Sequence, residues 1–240
     1  MIAINGQIPK GIAINGQRVN GMANNGEVIY RRPYALTSSG GQWIDLGLPF
    51  AGNMSYRVKV LSLVNSSNGV IGSRASASSQ VNFVNISNTS SSRPPNTDTL
   101  RWGYGTSATL YQHPVETNVW YDIYSKRNTL YIDGELRYTT SANSTGYPGT
   151  ALLFGYRNSE EISGITNPKK IEFCQVWDGT DELVRDLVPV PQGSTWYSAT
   201  PAPSNCMWDK VTRQYFENQG TGTFGIEVAL SATPRLKPGA

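Results

Sequence analysis

The sequence predicts an all-β fold, an antiparallel sandwich or barrel of short strands preceded by a repetitive β arm. Three observations carry that prediction. Gly, Ser, Thr and Asn are abundant while charged residues make up only 15% of the 240 residues. Such a mixture suits strands and turns, because β-branched and aromatic side chains fill pleated faces while Gly and Asn accept tight-turn backbone conformations. No stretch of about ten or more residues shows the apolar spacing of an amphipathic helix. Alternating apolar and polar runs instead recur along the chain, punctuated by Gly, Asn, Asp and Pro.

The arm comes first. Ile2-Ala3-Ile4-Asn5-Gly6-Gln7 returns as Ile12-Ala13-Ile14-Asn15-Gly16-Gln17 and, altered, as Met22-Ala23-Asn24-Asn25-Gly26-Glu27. Each unit couples a short apolar strand to Asn-Gly, the dipeptide whose tolerance of positive φ closes two-residue hairpins. Repetition at a fixed period marks units that bury apolar surface only against a neighbour. So short a leader cannot hold a core alone, since chains below about 40 residues need an external staple. Residues 1–33 are therefore read as an attachment or oligomerisation arm. Ile2, Ile4, Ile12 and Ile14 supply its apolar contacts and Arg18, Arg31 and Arg32 its charge. Pro33 closes it, because proline cannot extend a strand ladder.

The body spans residues 34–228. Trp43 and Asp45 alternate with Ile44 and Leu46, which face the other way, and Tyr56, Val58 and Val60 point inward from the next strand. Strands are also expected around Val70 to Gly72, Gln80 to Asn85, Leu100 to Tyr104 and Ala108 to Tyr111; a polar loop is expected from Asn85 to Thr97. Val119 to Tyr138 reads as a three-stranded meander: Tyr121, Ile123 and Ser125 share a face, Lys126-Arg127-Asn128 turns, and Leu130 and Ile132 point inward. Asp133-Gly134 turns again into Leu136 and Tyr138. Further strands are expected at Ala151 to Tyr156, Lys170 to Trp177, Leu183 to Val190 and near Met207, Tyr215 and Phe224. Trp120 and Trp177 are expected inside. Residues 229–240, with Pro234 and Pro238, read as an extended tail.

Charge and cysteine usage narrow the function. The net +3 lies entirely in residues 1–33, where four basic residues face one acidic residue; residues 34–240 hold sixteen of each sign. Nucleic-acid binding needs a dense basic stripe, so no nucleic-acid partner is expected. No run approaches the roughly 20 apolar residues of a membrane span, and the first residues lack a basic start and an apolar run. Membrane insertion is not expected, and synthesis in a bacterial host cytoplasm is. Cys174 and Cys206 then read as buried free thiols.

Two groups of residues carry a resemblance. Trp120-Tyr121-Asp122-Ile123 followed by Leu130-Tyr131-Ile132-Asp133-Gly134 resembles the strand, turn and strand of laminin G-like, concanavalin A-like jelly rolls. Ile171 to Gly179 leading into Leu183-Val184-Arg185-Asp186-Leu187-Val188-Pro189-Val190, and Trp208-Asp209-Lys210-Val211-Thr212 leading into Phe216 to Phe224, resemble the C-terminal half of jelly rolls in bacteriophage and prophage structural proteins. The resemblance covers roughly residues 34–226. It implies a concanavalin A-like jelly-roll sandwich on a virion component of head or tail. Other virion proteins would be the arm's partners, a homo-oligomer (a trimer) the assembly, and the virion the location. Arg185-Asp186 is expected to make an ion pair or backbone hydrogen bonds that fix a sheet edge.

Candidate chemistry is sparse. His113 is a lone histidine beside Pro114, read as a loop residue, so neither a zinc cluster nor a Ser-His-Asp arrangement is signalled. No two carboxylates alternate on one strand near Asp122, Asp133 or Glu172, which leaves the glycosidase reading weak. Asp178-Gly179-Thr180-Asp181-Glu182 offers three carboxylates for calcium, yet reads better as an Asp-Gly hairpin. No cofactor is expected. Host-surface or mucosal glycans are the ligand class that fits, because sugars stack on aromatic faces and hydrogen-bond to amides, carboxylates and guanidinium groups. Trp102, Tyr104, Tyr111, Tyr147, Tyr156 and Arg157 are the expected contacts. The functional expectation is a non-enzymatic fibre or decoration protein displaying a lectin-like jelly roll; a purely architectural component is the alternative, and a glycan-cleaving enzyme a more distant one.

Overall fold

The computed structural model describes residues 34–50, 53–63, 68–76, 79–87, 97–142, 147 and 149–228, with four short backbone strands between 12 and 31. Those four are β1 (Ile12–Ile14), β2 (Gln17–Val19), β3 (Gly21–Asn24) and β4 (Glu27–Arg31). Ile12 pairs with Val19 and Ile14 with Gln17; Met22 pairs with Tyr30 and Asn24 with Glu27. Two of the Asn-Gly pairs thus fall between paired strands, as the ten-residue period predicts. Ile2, Ile4, Arg32 and the tail 229–240 lie outside the described residues.

The body contributes β5 (Tyr34–Ser38), β6 (Ile44–Pro49), β7 (Ser55–Ser62), β8 (Asn68–Ser76), β9 (Ser79–Ser87) and β10 (Thr97–Gly105). Next come β11 (Ser107–Glu116), β12 (Trp120–Lys126), β13 (Thr129–Ile132), β14 (Glu135–Thr139), β15 (Thr150–Leu153) and β16 (Tyr156–Asn158). The last six are β17 (Glu161–Ser163), β18 (Lys169–Trp177), β19 (Leu183–Val190), β20 (Cys206–Asp209), β21 (Gln214–Phe216) and β22 (Gly225–Val228). One sheet runs β11-β10-β9-β8-β15-β6, with β16 lying parallel to the end of β8 and β17 paired to β16. The other runs β14-β13-β12-β7-β18-β19-β20-β21. In it β18 pairs with β5 through Lys169 to Ile171 and with β19 through Cys174 to Trp177, and β22 pairs with β5.

Period-two alternation places the core between the sheets. Tyr56, Val58 and Val60 from β7, Ile123 from β12, Leu130 and Ile132 from β13, and Ile171, Cys174 and Val176 from β18 face Ile44, Leu46, Val84, Ile86 and Leu100 opposite. Trp102 on β10 reaches across, its Nε1 donating to Ser125 Oγ on β12 at 2.9 Å. The Asp133-Gly134 turn has φ of 54° and 79°, the doubly positive geometry that matches hairpin twist. Cys174 and Cys206 are buried free thiols. Burial pushes both up, Cys206 to about 12.

Several expectations are corrected. Trp120 and Trp177 are only half-buried, because they alternate with the inward Ile123 and Val176 and so share the outer face. His113 lies in β11, not a loop; β11 is an edge strand, the sheet position that tolerates Pro114. β9 continues through Asn85 to Ser87, which the expected loop had included. Arg185 and Asp186 pair with Val176 and Gln175 of β18, whereas β20 pairs with β19 only from Leu187 to Val190, so the two residues sit at the end of that ladder. They also point apart: Arg185 Nε stands 3.7 Å from the buried Asp209 and donates to the Leu46 carbonyl at 3.1 Å, whereas Asp186 faces out.

Candidate functional site

The outer face of the ten-stranded sheet carries a groove of about 430 Å³, bounded by Tyr34, Phe173 and Tyr197 and floored by Arg57, Glu172, Gln175, Asp186 and Lys210. Strand register assembles it. Arg57 on β7 lies opposite Gln175 on β18, which lies opposite Asp186 on β19. A register shift between Ile171 and Phe173 turns the Phe173 ring to the same outer side. From the 191–205 segment, Tyr197 stacks on Trp208 at 5.9 Å with planes 8° apart, and Trp196 packs on Tyr34 at 5.2 Å. Along the same face Tyr124 contacts both Tyr131 (5.8 Å) and Trp177 (5.6 Å), which extends the aromatic surface.

Each charge in the groove has an ion-pair partner. Arg57 donates to both oxygens of Asp122, at 2.9 and 2.6 Å, and its guanidinium lies over Phe173. Those hydrogen bonds to Asp122 raise the Arg57 pKa against the lowering effect of burial. Lys59 Nζ is 2.8 Å from Glu172. Asp186 accepts from Gln175 Nε2 at 3.3 Å and Lys210 Nζ at 3.2 Å. The buried Asp209 carboxylate fixes the Asp186 backbone by accepting its N–H at 2.8 Å. The result is a fixed polar floor between aromatic walls, able to meet hydroxyl groups and C–H faces together.

The expected glycan contacts fall elsewhere. Trp102 is fully buried and Tyr104 is 3% exposed, which removes both from any surface site. Their strand register explains it: Trp102 lies opposite Val84 and, two residues on, Tyr104 lies opposite Asn82, all buried on the inner side of β9 and β10. Tyr111 is half-buried and stacks on Tyr138 at 5.5 Å, against the core. Tyr147, Tyr156 and Arg157 gather near β15 to β17, away from the groove. Arg157 bonds to Asp45 at 3.1 Å and to the Thr150 carbonyl at 2.8 Å. Tyr147 donates to Glu160 at 2.6 Å, and Tyr156 packs on Phe83 beneath the Arg74 guanidinium. The Asp178 loop is an Asx-type turn: Asp178 Oδ1 accepts from Thr180 N, Thr180 Oγ1 and Glu182 N, and those bonds lower its pKa. Asp181 pairs with Arg127 at 2.9 Å.

No family model and no curated protein matches the sequence. Solved structures match in fold. An inferred carbohydrate-binding protein of Bacteroides ovatus superposes over 86% of this chain at 12% identity, with a TM-score of 0.50. This chain spans 64% of that protein's length. A heptameric SAP-like pentraxin from Limulus polyphemus superposes over 82% of this chain and 95% of its own at 10% identity and a TM-score of 0.46. The chain is thus an all-β sandwich of two sheets, a fold it shares with the Bacteroides protein.

Proposed function

We propose that this chain is a non-enzymatic, lectin-like protein that binds glycans in the outer groove of its ten-stranded sheet. The observation that carries the reading is the union, in one groove, of the aromatic faces Tyr34, Phe173 and Tyr197 with the hydrogen-bonding Gln175, Asp186 and Lys210. The fold shared with the Bacteroides protein is consistent with it. Binding rather than cleavage is favoured because each carboxylate in the groove is held by an ammonium group, Glu172 by Lys59 and Asp186 by Lys210. Glycoside cleavage needs one carboxyl free to donate a proton. On a bacterial and mucosal glycan array the full chain should bind a discrete set of glycans. Tyr197→Ala should weaken that binding about tenfold or more, the value of one buried aromatic contact. Unchanged affinity would remove the groove from the reading, and a blank array would favour a purely architectural role.

The placement that goes with this reading is the bacteriophage virion, on head or tail, with residues 1–33 as the attachment and oligomerisation arm, in a trimer. The arm's ten-residue period and its paired short strands support it, as does the resemblance of residues 171–226 to phage jelly rolls. Antibody against the chain should label intact particles in electron micrographs; unlabelled particles would refute the placement.

A further inference from the structure

We infer that the chain carries a second glycan subsite, selective for a carboxylate-bearing sugar, on the other side of the Tyr197–Trp208 stack; this rests on the lectin reading above. A second depression, of about 440 Å³, is lined by Ser198, Thr200, Trp208, Arg213, Tyr215 and Glu217, among others. Trp208 stacks on Tyr197 of the first groove and meets Tyr215 edge-on at 4.8 Å, so one aromatic stack separates the two depressions. Their charges differ. In the first groove Arg57 and Lys210 each have a carboxylate partner. Arg213 makes no ion pair among the described residues.

The turn presenting Arg213 is firmly built. The buried Asp209 carboxylate accepts from Val211 N at 3.2 Å and Thr212 Oγ1 at 2.8 Å, while Arg213 N donates to the Asp209 carbonyl at 2.8 Å. Arg213 itself has a φ of 58°, a conformation uncommon outside glycine and asparagine. In the same lining Tyr215 Oη donates to the Thr200 carbonyl at 2.8 Å, and the Glu217 carboxylate accepts from Ser204 Oγ at 3.0 Å. A guanidinium fork with no internal partner, beside aromatic faces and hydroxyl groups, suits a sialic or uronic acid: the fork takes the carboxylate in two parallel bonds and the rings take the sugar's C–H face.

Calorimetry on the full chain tests this with two matched pairs of probes. These are lactose against sialyllactose, and a glucose-terminated disaccharide against its glucuronate counterpart, which separate the two acid sources. The acidic member of at least one pair should bind about tenfold or more tightly, the worth of a charged hydrogen-bonded contact. Arg213→Gln should erase the preference by lowering affinity for the acidic probe, and Arg213→Lys should restore part of it. Equal affinity within both pairs, or a preference that survives Arg213→Gln, overturns the subsite. If neither pair binds while the array is positive, the subsite fails and the lectin reading stands; a blank array removes both.

Discussion

Trp102→Ala should cost about 4 kcal/mol of folding stability, the middle of the range for deleting a large buried aromatic. The side chain is wholly buried. It stacks on Tyr104 at 5.7 Å, meets Tyr138 edge-on at 6.1 Å, and bonds to Ser125 on the opposite sheet. Truncation leaves a cavity where the two sheets are joined by a side-chain hydrogen bond, and rigid strands on both sides limit collapse into it. Trp102→Phe separates the contributions: it keeps most of the ring and should lose about 1 kcal/mol for the hydrogen bond. Urea denaturation at neutral pH measures both. A loss below about 1 kcal/mol for the alanine variant would mean that the sheets repack around the gap. Since domains commonly hold only about 5–15 kcal/mol in total, the alanine variant should also melt well below the parent.

Trp102 also shows what the sequence makes legible and where that stops. Inward faces of single strands follow from alternation alone, as Ile44/Leu46, Tyr56/Val58/Val60 and Leu130/Ile132 demonstrate. Turns with a strong local code, such as Asp133-Gly134, are equally readable. An aromatic-rich strand such as Leu100 to Tyr104 gives no such sign, because Trp and Tyr serve either face. Which face is buried depends on the pairing of β10 with β9, a long-range property. The same limit hid the groove. Arg57, Gln175 and Asp186 are distant in sequence and meet only through the registers of β7, β18 and β19. Phe173 reaches the outer side through a register shift with no sequence marker. Tyr197 arrives on a segment without regular strands. One local signal was available: Gln175 alternates with the apolar Cys174 and Val176, which marks its outward direction.

Lys169→Met should flatten the rise in stability between pH 7 and pH 10. Lys169 is 1% exposed and donates to two carbonyls, Phe154 O at 2.7 Å and Gly164 O at 3.1 Å. Both acceptors belong to residues with positive φ, 68° and 71°, so the ammonium ties together two turns that leave their carbonyls pointing inward. Burial lowers its pKa from the ordinary 10.5 to about 7. Between these values the unfolded chain holds a proton that the folded chain has released, and stability therefore increases with pH. The penalty is fully present below pH 7 and is relieved as pH climbs toward 10.5, by on the order of 3 kcal/mol between pH 7 and pH 10. Tyr56, Cys174 and Cys206 work the other way at alkaline pH, because burial raises their pKa values and the folded state then holds the extra proton. They are common to parent and variant, so the difference between the two proteins isolates Lys169. Methionine matches the stem while removing the titration, and the neutral amine's two hydrogen bonds are lost with it. At pH 7 the released charge penalty offsets that loss; at pH 10 only the loss remains, and the parent should be clearly the more stable. Parallel urea curves, with a stability gap unchanged across that range, would show that the ammonium keeps its charge inside the fold.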